Sequence, residues 1–532
     1  MKPHQNKPLA ILAIITLATS CLVAGPLVAA DAGSFDAAME LIRQKDLKQF
    51  ATVLASDTFE GREAGSRGGK AAGIYLTEQL RNLDIVPGGS GNTFFQHFGS
   101  DYRNVLALLP GSDPQLKNEY ILVSAHYDHV GYGTRRNSHG PFGYIHNGAD
   151  DNASGTAGLL ELIECLSTLE PRPKRSILFA FWDAEEKGLL GSEYWIAKPT
   201  VPLAQVKLLM NLDMIGRLRD ETIEVYGIRT APGLRRFVAE QNSLPGLRLV
   251  YSWDNKANSD HYPFFQQGIP YLMLHTRMHN DYHRPSDDPD KLNVAGMEQV
   301  CRLLAHTVYA AAQLPALPKF RGQSRSENEI VHNRRLARVA PLPMRLGVAW
   351  DLELAEKKII QLTRVVRNSP ADKAGLKVGD RLISFGGRPT DGDVDFRTLV
   401  LSARNPVEVL VQRDGNEETI TQTLQLGGRP RRFGISWRVD EAEPNCVALA
   451  RVWPGSPAAT AGLKANDRIH AVSGTSFSSG PTFRDLMAAA KNPVELTVET
   501  EGRIHSVQLT SELPATSKPV DAATSPKAPE RP

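Results

Sequence analysis

Cysteine is scarce: the 532 residues hold four, Cys21, Cys165, Cys301 and Cys446. Cys21 falls in the N-terminal apolar run and the other three stand far apart. Such spacing excludes a disulfide framework and a CxxC metal site. Cys165 and Cys301 read as small buried hydrophobes in helices. Charge of one sign is also lacking. The 61 basic and 59 acidic residues leave a net +2, and Lys2 and Lys7 account for that surplus. Nothing in this balance calls for nucleic acid or an anionic membrane surface as a partner. Past the N-terminus, no apolar run has the length and purity of a transmembrane helix. Neither a Gly-x-Ser-x-Gly nucleophile setting nor a HExxH zinc helix occurs.

What remains is ordinary globular composition, 41% apolar and 23% charged with 43 Gly and 35 Pro. Global disorder and collagen-like repeats are thereby out. At about 100–200 residues per domain, the length predicts roughly three domains. Residues 1–30 have the form of an export signal: Lys2 and Lys7 ahead of the apolar stretch Leu9–Thr19, then the small-residue cleavage site Val28-Ala29-Ala30. The expected location is periplasmic or extracellular, with no stable membrane span after cleavage. Retention of Leu9–Ala30, interrupted by Gly25 and Pro26, or lipidation of Cys21 behind the poor lipobox Ala18-Thr19-Ser20, would anchor the chain instead.

From residue 31 to 313 apolar runs alternate with helical patterns, the signature of a mixed α/β domain. Strands are predicted at Tyr120–Ala125, Ser176–Trp182, Lys207–Leu212, Thr222–Tyr226 and Pro270–Leu274, and helices at Ala153–Leu169 and Val294–Ala312. Residues 314–343, with four prolines and Arg334, Arg335 and Arg338, read as a linker that few contacts cross. An internal repeat follows. RLGVAW (345–350) matches RFGISW (432–437), SPADKAGLKVGDRL (369–382) matches SPAATAGLKANDRI (456–469), and NPVEV (405–409) matches NPVEL (492–496), each pair 87 residues apart. Two small folds are implied, at 344–427 and 428–511; two copies cannot stack into a solenoid. The Pro-, Ala- and Ser-rich tail 512–532 is expected to be disordered.

Five segments carry metal-type ligands, each after an apolar run or in a polar loop: His126-Tyr127-Asp128-His129, Gly148–Gly155 with Asp150-Asp151, Asp183-Ala184-Glu185-Glu186, Asn211-Leu212-Asp213, and Asp281–Asp288 with Tyr282 and His283. Singly, each is an ordinary capped turn or helix start. Together, beyond the carboxyl ends of strands in one open sheet, they share one crevice. Histidine and carboxylate without cysteine suit Zn²⁺, with Mn²⁺ or Co²⁺ as substitutes. Two ions roughly 3.5–4 Å apart would need a bridging carboxylate and terminal ligands for each. A single ion would leave several of these acids as unpaired buried charges.

The ordered set HYDH, GADDNASG, WDAEE, NLDMIGR and DYHRPSDD resembles the co-catalytic di-zinc exopeptidase family that includes bacterial leucyl-type aminopeptidases and glutamate carboxypeptidase. FEGREAGSRGGKAAGIYLTEQL (59–80) and SDHYPFFQQGIP (259–270) extend the resemblance over residues 50–312. It implies a mainly parallel central sheet sandwiched by helices, two Zn²⁺ per chain and a peptide or protein substrate. One zinc would be held by His126 and Asp213, the other by Glu186 and His283, with Asp151 bridging both. Asp128 would orient the His126 imidazole. Glu185 would be the general base, taking a proton from the bridging water and returning it to the leaving amine. Tyr282 would steady the oxyanion. His279, Asp260 and His261 also match family text and are placed around the ligands. Spacing alone does not choose within the doublets 150/151 and 185/186; the alignment does.

The two repeats resemble PDZ domains of the bacterial type, small mainly-β modules. RLGV and RFGI sit where the peptide-carboxylate loop belongs, without the common Gly-Leu-Gly-Phe text. C-terminal peptide ligands there, by strand addition, are one expectation; a structural lid or spacer is the other. With the signal-like N-terminus, the resemblance implies an exported zinc metallopeptidase, an aminopeptidase first. A carboxypeptidase of the same fold, a glutaminyl cyclase-like enzyme and an inactive PDZ adaptor are the alternatives. Arg217 and Arg284, close to ligands, could favour a substrate with an acidic end. If the modules are independent, a fragment of 31 to about 320 should fold and work alone.

Overall fold

The runs around ILVSA, SILFAFW and KLLMNL are apolar at nearly every position, as in strands covered on both faces. The computed structural model, which describes residues 32–83, 85–338, 344–392, 395–413, 418–428 and 430–510, places these runs at the centre of a nine-stranded sheet. Its strands are β1 (Val86–Pro87), β2 (Phe95–Phe98), β3 (Tyr102–Leu109), β4 (Tyr120–His126), β5 (Ser176–Trp182), β6 (Val206–Leu212), β7 (Thr222–Tyr226), β8 (Arg248–Tyr251) and β9 (Tyr271–His275). They lie in the order β1-β3-β5-β4-β6-β9-β7-β8, with β2 beside β3. Strands β5, β4, β6 and β9 run parallel; β3 and β7 pair with this block antiparallel, and β8 lies parallel to β7 at the rim. The export signal, Cys21 and the tail 512–532 lie outside the described residues.

Helices cover both faces: α1 (Ala32–Met39), α2 (Gln44–Leu54), α3 (Arg67–Arg81), α4 (Gly155–Ser167), α5 (Leu190–Ala197), α6 (Leu234–Gln241), α7 (His261–Gln266) and α8 (Val294–Gln313). The period-two alternation of a strand sends Ile121, Val123, Phe179 and Met210 to the face of α2, α4 and α8. Leu122, Leu178, Trp182 and Leu209 go to the opposite face, against Trp195 of α5 and Phe264 of α7. Capping fixes the helix starts, Ser66 accepting from the Gly69 amide and Asn293 from the Gly296 amide. Cys165 and Cys301 are buried in α4 and α8, and both are free thiols.

The repeats fold alike. The first contains β10 (Val348–Trp350), β11 (Ile360–Val365), β12 (Arg381–Phe385), β13 (Arg388–Pro389), β14 (Val407–Gln412) and β15 (Thr419–Leu424). The second contains β16 (Ile435–Asp440), β17 (Glu443–Val452), β18 (Arg468–Val472), β19 (Thr475–Ser476), β20 (Val494–Thr500) and β21 (Arg503–Leu509). Their strand orders correspond, β10-β11-β12-β14-β15 and β16-β17-β18-β20-β21, and each copy has its own apolar core.

The connector differs from expectation. Within 314–343 the chain forms a short 3₁₀ turn at Gly322–Ser326 and the helix α9 (Glu329–Ala337). Both pack on the α/β domain. Arg321 and Arg229 grip Glu327 with bonds of 2.6–2.8 Å, and His332 stacks on Trp253 at 4.4 Å. Nor does the second repeat hang free. Arg235 of α6 holds Glu499 of β20 at 2.8 Å, and Arg229 reaches Asp440 of β16 at 2.9 Å. Proline and arginine content suggested a solvated tether; instead Glu327 meets Arg229 and Arg335 meets Asp440, partners distant in sequence that local composition cannot show.

Burial by itself would raise the Glu327 and Glu499 carboxyls, but their arginine partners hold both at about 2, against an ordinary 4.5. A depressed carboxyl contributes stability that is complete above its unfolded value and lost as pH falls through its folded value. The contact is therefore expected to weaken from pH 4.5 down towards 2. Thermal unfolding should show a Tm lower by on the order of 5 °C at pH 3 than at pH 6, a slope that Glu499→Gln reduces.

Candidate metal centre

Parallel strands deliver their carboxyl ends to one rim. His126 ends β4, Asp183 to Glu186 follow β5, Asp213 follows β6, and the loop after β9 carries His279 to His283. The fifth segment, Gly148 to Ser154, enters α4 above the same rim. Three non-glycine residues there hold left-handed backbone: Ala184 (φ 58°), Met214 (φ 56°) and His283 (φ 51°). Such conformations persist where surrounding structure over-determines them, and they cluster at functional sites.

Side chains from all five segments meet. Ligand atoms of His126, Asp151 and Asp213 lie within 4.8 Å of one another, as do those of His129, Asp151, Glu186 and His283. Asp151 belongs to both groups through different oxygens. Its Oδ1 lies 3.3 Å from His126 Nε2, and its Oδ2 lies 3.1 Å from His283 Nε2. His283 Nε2 is also 3.1 Å from Glu186 Oε2, and His126 Nε2 is 3.7 Å from Asp213 Oδ1. Imidazole and carboxylate converge with no thiolate, and the carboxylates would repel one another without positive charge between them. This donor set fits divalent cations such as zinc.

Glu185 stands beside the first group, outside both. Burial pushes its carboxyl well up, and the carboxylates of Glu186, Asp260 and Asp213 add to the effect. Tyr282 stacks on the His283 ring at 3.9 Å. Asp128 lies against the His126 ring and also holds the acidic turn. The His126 ring donates from Nδ1 to the backbone carbonyl of Asp128 at 3.2 Å, while the carboxylate lies 3.8 Å away. That carboxylate accepts instead from the amides of Glu185 (3.0 Å) and Glu186 (3.3 Å), so it fixes the turn bearing both acids.

Asp150 turns away from the two groups. It accepts from Ser154 Oγ and the Gly216 amide, and its Oδ2 lies 3.1 Å from His279. Asp260 accepts from Ser192 at 2.6 Å, and His261 lies against the Tyr271 ring at 4.5 Å. Arg217 is committed to Asp281 and Asp287, and Arg284 to the carbonyls of His139 and Gly140. Both guanidiniums thus have partners within the chain.

Three supporting residues escape a reading by motif. Asp287 accepts from the amides of both Asp150 (2.9 Å) and Asp151 (3.1 Å), anchoring the shared carboxylate. Arg62, fully buried, donates to the carbonyls of Leu54, Tyr127, Asn147 and Gly148 and so ties the His126 loop to the Asp151 loop. Burial lowers its pKa to about 10. His129 joins the second group, its Nδ1 2.9 Å from Glu186 Oε1. The charged position inside FEGREAGSR and the second histidine of HYDH were the available signals.

A histidine–carboxylate cluster at the carboxyl rim of an open α/β sheet is a donor set placed to hold divalent cations. Residues 104–308 match peptidase family M28, and residues 361–413 and 450–500 each match the PDZ domain. The chain belongs to peptidase family M28, with two PDZ domains following the peptidase domain. It is 30% identical over 238 residues to the uncharacterized protein YfbL of Escherichia coli, covering 38% of this chain and 69% of that one. It is 29% identical over 211 residues to aminopeptidase YwaD of Bacillus subtilis, covering 38% of this chain and 43% of the relative. The LapA aminopeptidase of Legionella pneumophila superposes with a TM-score of 0.45 at 22% identity, over 54% of this chain and 76% of that one. The chain spans less than half the length of the first curated relatives it matches.

The role of Asp287 is open to direct measurement. Asp287→Ala frees the amides that hold Asp151, and should weaken divalent-cation binding by about 10–100-fold, as loss of an outer partner of a ligand does. Chelator-competition titration of zinc checks this; unchanged affinity would mean the loop holds Asp151 without Asp287.

Proposed function

We propose that this protein is an exported, two-zinc aminopeptidase. The observation that carries the reading is Asp151, with one oxygen facing His126 and the other facing His283. His126 and Asp213 would hold one ion, Glu186 and His283 the other, and Asp151 both. Such a pair would supply Lewis acidity and make a water molecule easier to deprotonate.

The chain's own residues do the rest. Glu185, adjacent to the first group and raised by burial, takes the proton of the attacking water and gives it to the departing amine. The Tyr282 hydroxyl, on the ring stacked against His283, donates to the developing oxyanion. Asp128 keeps the Glu185–Glu186 turn in register. The carboxylates of Asp151, Glu185, Glu186 and Asp213 gather at this rim, which favours a substrate ammonium over a carboxylate. Peptide C-termini are proposed to add along β10, the edge strand of the first PDZ domain.

Elemental analysis of loaded protein should give two zinc ions per chain, and peptides with a free N-terminus should be cleaved while N-blocked ones are not. Cleavage of N-blocked peptides from the C-terminal end would favour the carboxypeptidase instead. Glu185→Gln keeps the shape of the side chain and removes the proton acceptor. It should leave zinc content intact and lower kcat by about 10²–10⁴-fold. Glu186→Gln should lose metal; the reverse pattern would exchange the two roles.

A further inference from the structure

Strand β8 is the last in the peptidase sheet, and an open edge presents unpaired amides that invite association with other chains. Here the edge is met by the turn between β20 and β21 of the second repeat. The Leu249 amide donates to the Glu501 carbonyl at 2.8 Å, and Asn242 donates to the Gly502 carbonyl at 2.9 Å. Gly502 has φ +78°, and a Cβ there would stand 2.4 Å from Leu249 Cγ, so the turn sits flush on the strand. Behind it, Arg235 is sandwiched between Glu499 and the Tyr251 ring, 4.2 Å from the ring centroid, and both members of the ion pair are buried.

These contacts belong to one repeat only. Eighty-seven residues before Glu499, the first repeat has Gln412, and before His470, which lies 3.4 Å from Glu499, it has Ile383. The strand registers correspond, Arg381 opposite Gln412 and Arg468 opposite Glu499, so these are equivalent places in the two folds. The first repeat therefore lacks the carboxylate that answers Arg235. We infer that the second repeat is a built-in cap on the peptidase sheet edge, a structural part of the peptidase unit, a place the first repeat's residues do not fit. Replacing one partner would leave the other charge buried and uncompensated in the docked state, so docking depends on both Arg235 and Glu499 being present.

Hydrogen exchange on the full chain tests this. In the unaltered protein, amides of β8 should exchange slowly, and the peptidase domain should unfold together with the second repeat. Arg235→Leu and Gly502→Val should each speed β8 exchange by about a hundredfold or more. Asp380→Ala, which breaks the Asp380–Arg413 pair inside the first repeat, should leave β8 exchange unchanged. Gly502→Val leaves the peptidase sequence intact, and so decides the matter even if Arg235→Leu does not fold. Unaltered β8 exchange in Gly502→Val, or a second repeat that melts in a separate transition, would overturn the proposal.

Discussion

Asp151 has to face two imidazole-bearing groups at once while other carboxylates crowd it, and much of the rim is arranged to make that tenable. Buried carboxylates in mutual contact repel strongly unless amides, cations or neighbouring donors answer them. The structure supplies these answers one by one: Asp287 through two amides to the shared loop, Asp128 through two amides to the acidic turn, and Arg62 through four carbonyls that bind the two loops together. The left-handed residues Ala184, Met214 and His283 mark where the backbone bends to satisfy this geometry.

The C-terminal half follows a different logic. Duplication gave two copies with the same strand order, each able to build its own core. Divergence of a few polar positions then separated their places in the molecule. Glu499 and Asp440 meet Arg235 and Arg229 of the peptidase domain, while Arg229 and Arg321 close on Glu327 in the connector. The peptidase domain, the connector around Glu327 and the second repeat are thus joined by charges that are largely buried and paired, where deleting one partner is far more unfavourable than at a surface pair.

Much of the scaffold was legible because both signals involved are local. Fully apolar runs marked β4, β5 and β6 to within a residue at each end, and helical periodicity marked α4 and α8. The ligand segments were legible because strand ends in an open α/β sheet share a rim. The connector was misread for an equally physical reason: proline and arginine describe how a segment behaves in isolation. Trp253, Arg229 and Asp440, which fold it onto the domain, lie about a hundred residues away in either direction.

By itself, then, the sequence determined five of the sheet's nine strands, the repeat and the five polar segments, since periodicity, internal identity and residue type all act over short distances. Tertiary structure alone decided which oxygen of which carboxylate points where. Asp150 and Asp151 are neighbours of one type, and only the packing of Ser154, Gly216 and His279 around the first leaves the second to face both groups. In the same way Glu186 rather than Glu185 meets His283, because Asp128 pins the turn that separates them. Which repeat caps the sheet was written in Glu499 against Gln412, but it became readable only once α6 placed Arg235 opposite that position.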